Sequence, residues 1–367
     1  MAKSGHILVI NPGASSTKLA LYSFDISNSS LSQIHHTSLD FSNAEPGNSR
    51  SIIDQLDYRS NAVEKFLSST GIKPDLIMAR GGPLRPLAGG VYAVDQEMLN
   101  DLKTARYGDH ASRLAALIGD KVGKKLGVGC WIADPVTTDE FEALARISGV
   151  PEIERKSRSH ALNIKASARK LCKRIGKDIL HSSWVVCHLG SGISVAALKN
   201  GQIIDVNDAL LGMGPFSHDR AGALPIAGLL KMAYSGKYTQ NELEILLSHE
   251  SGLKAYLGTA NFKEVEERLD SADPKAQLIV GAMVYQIAKE ISAMASVFAF
   301  KIDGILLTGG MAHSQKLCEA ISARVQALTQ IFVEAGEDEL EALAQAGFRV
   351  MLGGEAIKIY GETSPGE

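Results

Sequence analysis

Three short glycine-containing segments carry residue types that could hold a phosphate. The first, residues 11–18, reads Asn-Pro-Gly-Ala-Ser-Ser-Thr-Lys and joins two apolar runs, 6–10 and 19–24. A tight turn of glycine and small hydroxyl residues leaves backbone N–H groups unpaired and lets an anion approach the chain closely. Ser16 and Lys18 add a hydroxyl and an ammonium. The second segment, His188-Leu189-Gly190-Ser191-Gly192, has the same character and lies between runs 184–188 and 194–198. The third, Leu306-Leu307-Thr308-Gly309-Gly310, follows a buried-looking strand and precedes a helical pattern, so its backbone could press against an adenosine. Each segment reads equally well as a plain turn. A Rossmann fingerprint is excluded because Gly190-Ser191-Gly192 leads into a strand rather than a helix, and GxxxxGK[ST] has no match in the chain.

The elements that must position these turns alternate as in an α/β protein. Period and apolar content predict strands over residues 6–10, 19–24, 76–79, 130–133, 184–188, 194–198, 203–206 and 304–308. Helical spacing of apolar residues predicts helices over 52–69, 109–126, 161–175, 274–300 and 314–328, with Pro274 suited to a first turn behind Ser271 or Asp273. Asn200-Gly201 is a type I′ hairpin signal, and the polar stretch 27–50 reads as strand edges and surface loops. The segment starting at Ile7 resembles the one starting at Trp184: each is strand, glycine turn, strand, with Asn11 opposite His188 and Gly13 opposite Gly190. Such a repeat, offset by about half the chain, implies duplicated domains with a ligand cleft between them.

The chain has 367 residues, which suggests two domains. A formal charge of −3 and a charged fraction of 22% give no reason to expect a nucleic acid or an anionic membrane as partner. The apolar passage 279–300 carries Lys289 and Glu290 in its middle and reads as too polar to span a bilayer. The N-terminus shows no signal-peptide pattern, which points to the cytoplasm. Cys130, Cys172, Cys187 and Cys318 are far apart and indicate neither a disulfide framework nor a zinc cage.

Taken together, INPGASSTK, CHLGSGIS and LLTGG resemble the acetokinase family of the actin, sugar-kinase and Hsp70 ATPase superfamily, over nearly the whole chain. ARGGPLRPLAGG and GPFSHDRAGALP are similar to the butyrate and branched-chain fatty acid kinase branch. The resemblance implies two actin-like (ribonuclease H-like) domains with mixed sheets flanked by helices: residues 1–155 with a returning 350–367, and a nucleotide-binding domain over 156–349. It further implies ATP/ADP and Mg²⁺ as cofactors, a short-chain carboxylic acid as substrate and a homo-oligomer.

The resemblance also assigns roles. Arg80 and Arg220, both in loops near strand ends, match arginines that hold the acyl carboxylate and the migrating phosphoryl group. Guanidinium suits this, being planar and permanently charged. Asp134 matches an aspartate that supports the metal and orients substrate, although Asp-Pro is also an ordinary turn. Glu355, after Gly353-Gly354, matches a glutamate that helps hold Mg²⁺, and Asn11 would contact the metal's hydration shell or the phosphoryl group. His160 matches one family histidine. The other is replaced by Lys156, and Ala14 stands where acetate kinases have serine. His188, Gly190, Ser191, Gly192, Gly309 and Gly310 would line the nucleotide with Ser16 and Lys18 on its phosphates. Acetate kinases carry valines where Gly81 and Gly82 follow Arg80, so the resemblance implies a wider acyl pocket here. Rival readings are an acetate or propionate kinase, a sugar kinase using Asp134 or Asp208 as general base, and a non-catalytic actin- or Hsp70-like ATPase module.

Overall fold

The computed structural model describes residues 3–41 and 52–362. Its strands are β1 (Ser4–Pro12), β2 (Ser16–Asp25), β3 (Ser30–Asp40), β4 (Leu76–Arg80), β5 (Val91–Ala93), β6 (Cys130–Ala133), β7 (Ser183–Leu189), β8 (Ile193–Lys199), β9 (Gln202–Val206), β10 (Gly304–Gly309), β11 (Ile331–Ala335) and β12 (Ile357–Ile359). Its α-helices are α1 (Leu56–Thr70), α2 (Gln96–Lys103), α3 (Leu114–Leu126), α4 (Ala143–Arg146), α5 (Ala161–Ile175), α6 (Ile226–Ala233), α7 (Gln240–His249), α8 (Gly252–Leu257), α9 (Phe262–Asp270), α10 (Pro274–Val297), α11 (Gln315–Val325) and α12 (Glu339–Met351).

The chain divides into two compact units, one comprising the residues up to Asp139 and those from Asp338 onward, the other Glu140–Glu337. The sequence reading sets the crossings at 155/156 and 349/350; side-chain packing sets both earlier. Glu140 is already tied to the second unit through Lys165 and the Ile203 amide, and Arg155 through Asp205. Helix α12 packs on the first sheet, where Phe348 meets Phe24 and a Cβ on Gly347 would run into Met78.

The first unit's sheet has the order β12-β5-β6-β4-β1-β2-β3. Strand β1 is antiparallel to β2 and parallel to β4, so its apolar run 7–10 is wholly buried, as a central strand's must be. The second unit repeats the arrangement as β11-β10-β7-β8-β9, with β7 antiparallel to β8 and parallel to β10. The duplication read from the two hairpins is therefore a duplication of five strands. Ile10 lies beside Ala79, and Cys187 beside Leu307, so Arg80-Gly81-Gly82 occupies the place of Thr308-Gly309-Gly310.

Helix α10 is the central core helix of the second unit. Val280, Met283, Val284, Ile287, Ile291 and Met294 recur at helical spacing and are all buried in one cluster with β7, β8 and β10. Asp273 caps it by accepting the Lys275 and Ala276 amides at 2.8 and 3.3 Å, with Pro274 in the first turn. By length and composition it would pass for a membrane span, and its face with the six residues just named is buried in the second unit's core. Asn200 and Gly201 have φ of 52° and 78°, as the type I′ turn between β8 and β9 requires.

The sequence reading names no separate strand for β3, β5, β11 or β12. Strand β3 is polar and mostly exposed at the sheet edge, so it falls within the predicted strand edges of 27–50, of which residues 42–50 lie outside the described residues. All four cysteines are buried free thiols, and the described residues hold no cluster of three metal-ligating side chains.

Candidate active site

In the first unit, the end of β1 brings Asn11 and the end of β4 brings Arg80 to one place. Arg80 Nη1 donates to Asn11 Oδ1 at 3.3 Å, and its Nη2 pairs with Glu339 Oε1 at 2.9 Å. Asn11 Nδ2 donates to Glu339 Oε2 at 2.6 Å, closing a triangle of amide, guanidinium and carboxylate. Glu339 opens α12 and is placed there by the helix start, which Asp338 caps through the Glu341 amide. Asn11 is 4% exposed, whereas Arg80 and Glu339 keep about a quarter of their side-chain surface open.

Beside this cluster the β1–β2 turn has its carbonyls turned inward. Arg59 donates to the carbonyls of Gly13, Ala14 and Ser16, and the Phe41 amide takes that of Ser15. Among the described residues the amides of Ala14 and Ser15 donate to nothing, which leaves them for an anion. Ser16 is half-buried and Lys18 exposed at this turn.

Asp134 follows β6 with φ of 38°, a left-handed conformation that aspartate tolerates better than most residues. Its backbone amide donates to the Gly90 carbonyl at 3.1 Å, and its Oδ1 accepts the Gly90 amide at 2.8 Å. This reciprocal pair fixes the loop after Arg85 to the end of β6.

In the second unit, His188 ends β7 with 1% exposure. Its Nδ1 accepts from Asn163 Nδ2 at 2.8 Å, so Nε2 carries the proton. Among the described residues that N–H has no hydrogen-bond partner, and it faces Glu337 Oε2 at 3.4 Å. Burial, helped by the charge of Arg220, pushes the His188 pKa down to about 3, so the contact with Glu337 is a neutral one at ordinary pH. His160, at the start of α5, stacks on His188 with centroids 3.9 Å apart and an 11° tilt, and its Nδ1 meets Ser194 Oγ at 2.9 Å. Lys156 is exposed.

Around the β7–β8 turn the amides of Ser191 and Gly192 are without a partner among the described residues, as those of Ala14 and Ser15 are in the first. Here Ser217 Oγ holds the Ser191 carbonyl. Arg220 lies under the turn and donates to the Ala209 carbonyl, while its Nε finds no acceptor among the described residues. Gly309 has φ of 89°, and a Cβ there would strike the Leu189 backbone; Gly310 faces open space. The Thr308 hydroxyl joins Asn163, Ser167 and the Gly336 carbonyl.

The matching family model is the acetokinase family, over residues 154–358. A probable butyrate kinase of Listeria monocytogenes is 42% identical over 359 residues, covering 96% of this chain and 99% of its own. The chain belongs to the acetokinase family. A probable butyrate kinase 2 of Caldanaerobacter subterraneus is 44% identical, covering 97% of this chain and 99% of its own. Among solved structures, Porphyromonas gingivalis acetate kinase superposes with a TM-score of 0.73 at 17% identity, covering 95% of this chain and 100% of that one. A propionate kinase of Francisella tularensis gives 0.72 at 18%, covering 93% and 98%. These likenesses establish the actin-like fold, and membership makes this chain an ATP-dependent carboxylate kinase.

Three placements bear on the expected roles. The carboxylate bonded to Asn11 is Glu339. Glu355 lies past the end of α12 and pairs with Arg349 at 3.0 Å. Gly81 and Gly82 do not widen a pocket: a Cβ on Gly81 would meet Pro135 Cβ at 2.5 Å and one on Gly82 the Arg113 Cα at 2.7 Å, so protein fills the space that valines would take. Gly192 leaves room for the Arg220 guanidinium, and the missing side chain of Gly190 leaves room for His188, so both act on their neighbours while their turn offers its amides.

Sequence reasoning passed over Glu339, Glu337, Asn163 and Arg59. A usable signal existed for the first two. They flank Asp338 where the chain passes from the second unit back into the first, and each meets one of the paired positions: Glu337 faces His188 within the second unit, and Glu339 bonds Asn11 within the first. For Arg59 the sequence does offer a sign, since it lies four and eight residues before Val63 and Leu67 and so on the apolar face of its helix.

Proposed function

We propose that this enzyme phosphorylates butyrate or a branched short-chain acid, reversibly, by in-line transfer from ATP with Mg²⁺. The acyl preference is supported by the names of the relatives at 42–44% identity, no longer by Gly81 and Gly82. The observation that carries the chemistry is the Asn11–Arg80–Glu339 cluster next to a turn with free amides. Phosphoryl transfer needs positioned positive charge and little covalent help. Arg80 would neutralise charge on the acid and the migrating phosphoryl group, with Asn11, Ser16 and Lys18 on phosphoryl oxygens. Arg220, His188, Gly190, Ser191, Gly192, Gly309 and Gly310 would serve the nucleotide side, and His160 holds His188 by stacking.

Glu339 and Asn11 would offer hard oxygens, with a single carboxylate among them, to a Mg²⁺ ion that retains waters and phosphate oxygens. Mg²⁺ supplies charge neutralisation on the phosphates. A sugar kinase would need a free carboxylate base, yet Asp134 accepts the Gly90 amide and Asp208 pairs with Arg158 Nε at 2.8 Å. Four buried thiols suit the cytoplasm. A homo-oligomer is supported by α6, which exposes Ile226 and Leu230 and buries none of its residues, with Tyr234 exposed just past its end. Light scattering of the purified protein tests that assembly.

The test of function is a hydroxylamine-trapped acyl phosphate assay across carboxylic acids of two to six carbons. Specificity constants highest for butyrate or isobutyrate are expected. A clear preference for acetate would overturn the acyl assignment, and product from hexoses alone would overturn the carboxylate reading.

A further inference from the structure

Arg59 is 1% exposed on α1, and every polar atom of its guanidinium is used. Its Nη1 donates to the Gly13 and Ser16 carbonyls at 2.9 Å each and to Thr17 Oγ1 at 3.0 Å; its Nη2 donates to the Ala14 carbonyl at 2.9 Å. Nε donates to Gln55 Oε1 at 3.0 Å, and the Phe41 ring lies 4.8 Å from the guanidinium carbon. Phe41 also spends its amide on the Ser15 carbonyl, at 2.7 Å. All four turn carbonyls from Gly13 to Ser16 are thereby drawn to one side. No carboxylate pairs with Arg59 among the described residues, and a buried guanidinium held only by neutral dipoles is a costly arrangement.

That cost has a purpose if the missing counter-charge arrives with a ligand. We propose that Arg59 is a positioning residue for phosphoryl transfer: it turns the carbonyls of the β1–β2 turn inward, presents the Ala14 and Ser15 amides outward, and is electrically completed by the transferred phosphoryl group. This rests on the reading of that turn as the phosphoryl-binding side of a carboxylate kinase. Arg59 itself touches only protein. Its planar fork reaches several carbonyls at once, which a lysine ammonium on a flexible stem does not reproduce. Ligand contact falls to the two amides, and the field of the buried cation adds to theirs.

The experiment uses the full-length protein with Arg59→Met, Arg59→Lys and Thr17→Val. Calorimetry measures the affinity for Mg·ADP and for a non-hydrolysable Mg·ATP analogue, so that their ratio isolates the terminal phosphoryl group; kcat and both KM values follow. Arg59→Met should bind Mg·ADP within twofold of wild type, lose the gain given by the terminal phosphoryl group, and fall at least about tenfold in kcat. Arg59→Lys should fall between the two. A purely structural role would lower the melting temperature and leave the affinity ratio unchanged, which overturns the proposal. Should Arg59→Met fail to fold, Thr17→Val decides: a several-fold loss in the ratio with Mg·ADP unchanged supports it, and a wild-type ratio overturns it. Wild-type enzyme that makes no acyl phosphate would instead defeat the underlying functional reading.

Discussion

Acidification should test the electrostatics of the nucleotide side through one residue. His188 is 1% exposed, and burial with the nearby Arg220 charge sets its pKa at about 3, against about 6.5 for an unperturbed histidine. The folded state therefore binds fewer protons than the unfolded chain between these values, so stability must fall as pH drops through that window. At pH 7 the unfolded histidine is mostly neutral and little is lost. At pH 5 it is almost wholly protonated when unfolded and neutral when folded, and linkage gives a loss of about 2 kcal/mol from this residue. The shape of the site explains the direction: a second proton would have to sit on Nδ1, where Asn163 already presents a donor, and His160 covers one ring face. Two measurements check this. The imidazole resonances of His188, assigned by comparison with His188→Asn, should not titrate between pH 5 and 8. The stability difference between pH 7 and pH 5 should also shrink by about 2 kcal/mol in that variant, whatever its absolute stability. A His188 titration near 6.5 would refute the burial argument and reopen an ion pair with Glu337.

Glu339→Gln should lower kcat by about 10²-fold with a shift in the Mg²⁺ dependence of the rate, whereas Glu355→Gln should leave that dependence unchanged; the reverse pattern would return the metal role to Glu355. Gly310 faces open space, so Gly310→Val should fold normally and raise KM for ATP while sparing KM for the acid. Steady-state kinetics with each substrate varied in turn checks this, and an equal effect on both would remove Gly310 from the nucleotide side.

Local chemistry determined much of this protein by sequence alone. Short apolar runs at 7–10, 184–187 and 304–307, bounded by turn residues, read as buried strands, and the spacing of Val280, Met283, Val284, Ile287 and Ile291 reads as a core helix. Two similar strand–turn–strand segments announced the duplication and placed Asn11 and His188 at matching positions, as the strand registers bear out. Asn200-Gly201 signalled its turn through the positive φ values that this pair adopts readily. Tertiary structure decided which distant groups meet. Glu339 and Arg80 are far apart in the chain, and only the return of α12 onto the first sheet makes them partners. Gly81 and Gly82 read as vacant space until Pro135 and Arg113 are seen to fill it. Helical periodicity places Arg59 on the buried face with Val63 and Leu67, but it does not tell which carbonyls lie over that face. A sequence records propensity and pattern, which act over a few residues; the pairing of charges and the filling of space depend on contacts made only when the whole unit closes.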